Sequence, residues 1–104
     1  MSAQPKYKLE TDYLNSWVES GAYSLVVNRT ISQKLRRLRI DLVDVNYVLR
    51  HGQVVRSDML ESRGLWDVLG STADDIAVEL TVAVISSVCE VELLQIITVE
   101  RRGR

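Results

Sequence analysis

Apolar residues recur along this chain with two different periods, and the change between them falls at Gly52. Before it the spacing is helical. Leu14, Trp17 and Val18 stand at i, i+3 and i+4, which predicts a helix over about 12–20, capped by Thr11 or Asp12 and stopped at Gly21. The run YSLVVN, residues 23–28, is too short to assign and fits either a strand or the lead into the next helix. From about Ile31 the pattern sharpens. Ile31, Leu35 and Leu38 line one side, while Arg29, Gln33, Arg36 and Arg37 fall opposite at about 100° per residue. Asp41 then caps a further helix with Leu42, Val45 and Leu49 as its buried stripe and Asp44 in its first turn. Arg50 and His51 lie in its last turn, where cations are favoured, and Gly52 ends it in a left-handed conformation. Helices are thus predicted over about 12–20 and 31–50.

After Gly52 the period becomes that of strands. QVVRSDML and GLWDVLGS read as two, with Gly64 and Gly70 as breaks. IAVELTVAVIS is the clearest, with Ile76, Val78, Leu80, Val82 and Val84 on one side and Ala77, Glu79, Thr81 and Ala83 on the other. TADD before it and SSVCE after it supply connections. The final segment, VELLQIITVE, is apolar on both faces and predicts a central strand. The expected fold class is α+β, with N-terminal helices packed on one face of an antiparallel sheet of four or five strands. A flexible N-terminus over 1–10, a single domain over 11–100 and a basic tail over 101–104 complete the expected organisation.

Composition changes this picture only through charge. The 104 residues carry a net charge of −1, but the charge is divided. Residues 29–63 hold eight Lys/Arg against four Asp/Glu, whereas residues 64–100 hold seven Asp/Glu and no Lys/Arg. The first segment can attract phosphate if the fold keeps it apart from the second. No run reaches the roughly 18–20 apolar residues of a membrane helix, and the polar start lacks the apolar segment of a signal peptide, so the expected location is the cytoplasm without membrane contact. A single cysteine, Cys89, and a single histidine, His51, exclude an internal disulfide and a Cys/His zinc site; no metal or other cofactor is expected. Asn28-Arg29-Thr30 matches a glycosylation acceptor by chance, and Asp74-Asp75 reads as turn residues. Trp17 and Trp66 read as core or interface aromatics.

The candidate site is the basic constellation. Lys34, Arg36, Arg37 and Arg39 on one helix, Arg50 and His51 on the next, and Arg56 and Arg63 around the first strand could converge at one sheet edge; a solvated basic face partly paired with acids of the second half is the other reading. The blocks KLRRLRIDLVDVNYVLRHGQVV, GLWDVLGST and LLQIITVE resemble a family of small bacterial domains of unknown function. The likeness covers residues 31–100 and rests on Ile40, Asp44, Val45, Leu49, Gly52, Val54, Gly70 and Ile97-Thr98-Val99. That family is similar to RelE and BrnT ribonuclease toxins.

The resemblance implies metal-independent RNA binding or cleavage, in which a ribose 2′-hydroxyl attacks the adjacent phosphate. Lys34, Arg36, Arg37, Arg39 and Arg50 would bind RNA, Arg56 would stabilise the transition state, and His51 would move protons. The expected partners are RNA and an antitoxin or other protein. Relatives commonly carry a histidine at the start of the basic helix, and this chain has none. The alternative is a non-catalytic protein-interaction module of phage, plasmid or mobile-element origin on the same fold.

Overall fold

The switch of period at Gly52 is where the chain leaves its last helix for the four consecutive strands of the sheet. The computed structural model describes residues 6–60, 63–86 and 92–102. The elements are α1 (Lys8–Ser20), β1 (Tyr23–Val26), α2 (Arg29–Leu38), α3 (Leu42–His51), β2 (Gln53–Leu60), β3 (Arg63–Ser71), β4 (Ala77–Ser86) and β5 (Glu92–Arg101). The fold is α+β, with helices packed on a five-stranded sheet of order β1-β5-β4-β3-β2. Apart from Ser86, which ends β4, the SSVCE connection with Cys89 lies outside the described residues, as do residues 1–5, 61, 62, 91, 103 and 104.

The sheet is mixed rather than antiparallel. β2 to β5 form the expected meander, but the unassigned YSLV segment is a strand that pairs parallel to β5, Tyr23 opposite Glu92 and Val26 opposite Gln95. This places β5 between two neighbours, which is why its sequence is apolar on both faces. Its alternation is broken once. Thr81 faces Thr98 and Val82 faces Ile96, so Ile97 is an extra residue that lets Ile96 and Val99, three apart, both enter the core.

The helices are specified by their ends. α1 begins four residues before the expected start and stops at Gly21, whose φ of 75° is the left-handed conformation that glycine adopts without cost. α2 starts at Arg29, two residues early, because the Asn28 side chain accepts from the Ile31 amide at 2.8 Å. α3 carries a full capping box, Asp41 accepting from the Asp44 amide and Asp44 from the Asp41 amide. Its buried stripe is Val45, Val48 and Leu49; Leu42, expected inside, is half exposed because it stands in the first turn beyond the sheet's reach.

Gly52 does not take the expected left-handed conformation. Its φ of −78° and ψ of −178° are extended backbone open to any residue. The requirement is space. A Cβ there would lie 2.4 Å from the Val48 carbonyl and 3.0 Å from that of Leu69. Gly70 stands opposite, inside β3 rather than at its end, where a Cβ would lie 3.0 Å from Gly52 Cα and 3.3 Å from Val48 Cγ1. Gly64 is likewise inside β3. The last turn of α3 therefore rests directly on β3 and runs into β2 without a loop.

α1 braces this junction. Asn15 Nδ2 donates to the Leu49 and Gly52 carbonyls at 2.9 and 3.3 Å, and Thr11 Oγ1 accepts from the Val54 amide at 2.9 Å. Beneath, Leu14, Val45, Val48, Leu49, Val68 and Leu80 are fully buried, each contributing about 1.5–3 kcal/mol of transfer free energy.

Replacing Gly52 with alanine is expected to cost about 3 kcal/mol, because the nearest obstacle is backbone that cannot move aside. Gly70→Ala should cost less, since its nearest neighbour, Gly52 Cα at 3.0 Å, is farther than the Val48 carbonyl at 2.4 Å that a Cβ at Gly52 would meet. Urea unfolding of both variants checks the order, and equal stability to the unmodified chain would refute the close approach. Asn15→Ala should lose about 1–2 kcal/mol in the same measurement, through the unpaired carbonyls at the end of α3.

Candidate nucleic-acid interface

α2 positions the arginines. Ile31 and Leu35 are buried against the sheet and Leu38 is half-buried, so the opposite face turns Arg29, Gln33, Arg36 and Arg37 to solvent. Arg39 follows as the C-cap, in the left-handed region at φ 58°, its amide bonded to the Arg36 carbonyl. Among the described residues, Arg29, Arg36, Arg37 and Arg39 form no ion pair, although all four are exposed.

Two acids of the second half are engaged in ion pairs of their own. Glu79 pairs with Arg102 at 2.5 Å and Glu100 with Lys34 at 2.8 Å. Lys34 lies on the flank of α2 and reaches the sheet, so it is an ion-pair partner rather than part of the free basic face. Its hydrogen bond and charge, helped by Arg102, hold the Glu100 carboxyl below its ordinary value. Arg50 leans towards Glu19 at 3.6 Å, at the other end of the helical layer.

A cleft of about 250 Å3 opens between α2 and the start of α3, lined by Ser32, Leu35, Arg36, Ile40, Asp41 and Leu42. Arg36 is the cation it offers. At the α3 N-terminus the capping box takes up the amides of Asp41 and Asp44.

The two expected catalytic residues are not brought together. His51 ends α3 in the helical layer, its ring 4.5 Å from that of Tyr47, in a groove of about 580 Å3 beside Ser71, Thr72 and Asp75 of the β3–β4 turn. No described side chain hydrogen-bonds it. Arg56 stands on the edge strand β2 in register with Asp67, on the sheet face away from the helices, and is held by Asp58 at 2.9 Å. Neither one touches the arginines of α2. The TADD segment is a turn, with Asp75 at φ 66° and its amide bonded to the Thr72 carbonyl. Among the described residues there is no group of three potential metal ligands, and no helix is long and apolar enough to cross a membrane.

The residue that the reading of the sequence missed is Asn15, which supplies the helix-end function expected of His51. Its only signal is its polarity beside Leu14, on a helix otherwise assigned by apolar spacing. No family model, characterised protein or solved structure matches the chain.

Replacing Lys34 with methionine is expected to return the Glu100 carboxyl towards its ordinary value, as read by carboxyl NMR titration. The sign follows from the lowered folded-state value. The stabilisation from the pair is present above the ordinary glutamate range and is lost as pH falls through the lowered value. It is small, because both groups meet water. A Glu100 titration unchanged in the variant would refute the pairing.

Proposed function

We propose that the protein binds RNA through the outer face of α2, as a small component of the RelE and BrnT type, without assembling a cleavage centre from His51 and Arg56. The observation that supports this reading is the row of exposed Arg29, Arg36, Arg37 and Arg39, which stays free of ion pairs among the described residues while Glu79 and Glu100 are paired elsewhere. Arginine suits this role because its planar guanidinium donates two parallel hydrogen bonds to a phosphate. A row of them on one short helix tracks a backbone rather than a single ion. Binding of this kind is driven by release of counterions and carries little base preference.

A second reading has its own observation. Leu42, Val43 and Tyr47 form an exposed apolar ridge on the outside of α3, with Val43 76% exposed. Such a ridge fits an antitoxin or another protein partner, and it adjoins the arginine face.

The charge reversal Arg36→Glu with Arg37→Glu is expected to weaken binding of a labelled single-stranded RNA by more than about tenfold in fluorescence anisotropy and to flatten its salt dependence. Thermal unfolding should be nearly unchanged, because both side chains point away from Ile31 and Leu35. His51→Asn should bind as the unmodified chain does. Absence of RNA binding by the unmodified protein at about 50 mM salt would overturn the reading.

A further inference from the structure

Of the cations on α2, Lys34 alone is ion-paired among the described residues. Its place on the helix does not set it apart. Lys34 stands one turn before Arg37 and about 60° around the helix from it, so it borders the arginine face and can serve a phosphate chain that passes over Arg37. What sets it apart is Glu100.

Leu80 and Val99 are paired and buried beneath the helices, so the next pair in register, Glu79 and Glu100, points to the other face of the sheet. Two carboxylates directly opposite each other repel. Arg102 takes Glu79, and Lys34 comes from the helical side to meet Glu100 at 2.8 Å, where β1, which pairs with β5 only as far as Gln95, leaves the edge of β5 to α2. The charge of Arg102 acts on Glu100 as well. The Lys34 pair can nonetheless exchange, because its side chains are 30% and 57% exposed and a pair in contact with water is worth no more than about a fivefold preference. Carboxylate and phosphate oxygens offer a lysine ammonium the same contact.

On the reading of α2 as an RNA-binding face, we infer that Glu100 is an internal competitor for RNA phosphate: it holds Lys34 at the flank of the helix and keeps it from joining Arg29, Arg36, Arg37 and Arg39. The carboxylate occupies the position beside Lys34 that a phosphate would take. Affinity in the unmodified chain is therefore set below what the cations of α2 can supply, with one phosphate contact fewer.

The test compares binding of a labelled single-stranded RNA by fluorescence anisotropy between about 50 and 200 mM salt. Glu100→Gln is expected to bind about threefold more tightly at the lower salt and to steepen the slope of log affinity against log salt by about 0.7, the increment of one further phosphate on a single strand. Thermal unfolding should be nearly unchanged, since the new side chain has the same size and the repulsion from Glu79 is gone. Asp12→Asn removes the same charge and releases Lys8 on α1 instead, and should gain nothing. Lys34→Met combined with Glu100→Gln should lose the gain. If the unmodified chain binds RNA, then no gain in Glu100→Gln, an equal gain in Asp12→Asn, or a gain that survives Lys34→Met overturns the inference and leaves the reading of α2 standing. No binding by either the unmodified chain or Glu100→Gln overturns both.

Discussion

Gly52 and Gly70 meet where the end of α3 lies on β3, and the rest of the fold is arranged around that contact. With no side chain on either residue, the helix ends against the strand backbone and the chain enters β2 at once. A direct passage fixes both the position and the direction of β2, and the meander to β5 follows from it. The cost is a set of helix-end carbonyls brought close to the core, and Asn15 of α1 offsets it by donating to two of them. Thr11 accepts from the Val54 amide near the start of β2. The first helix is therefore held by polar contacts to the junction as well as by Leu14 beneath it.

The same arrangement settles the electrostatics. Once α2 lies against β5 through Ile31 and Leu35, its arginines can only point outward. Glu79 and Glu100 of the second half lie in the sheet, where Arg102 and Lys34 neutralise them. A chain with a net charge near zero thereby displays a basic helix on one side of the fold.

Much of the fold was legible because burial imposes a period. The alternation from Val78 to Val84 announces a half-buried strand, the Ile31/Leu35 spacing a helix, and Asp41 with Asp44 a capped start. What escaped was set by contacts between distant segments. β1 is a strand only because β5 receives it, and four residues carry too little pattern to show that in advance. The bulge at Ile97 shifts the inward set of β5, and alternation cannot reveal an inserted residue. Gly52 was recognised as a helix end, but its reason is crowding by Val48 and Leu69 rather than backbone handedness.

The site divides along the same line. That Arg36, Arg37 and Arg39 form a basic helical face is a property of the sequence, because 3.6 residues per turn sorts them from the apolar stripe wherever the helix is placed. Whether Lys34, Arg50, His51 and Arg56 join them is a question of distances across the fold. Tertiary structure answered it by giving Lys34 to Glu100, Arg50 to Glu19 and Arg56 to Asp58, with His51 beside Tyr47. Local periodicity dictates which way a side chain faces on its own element. Only the packing of elements decides what it faces.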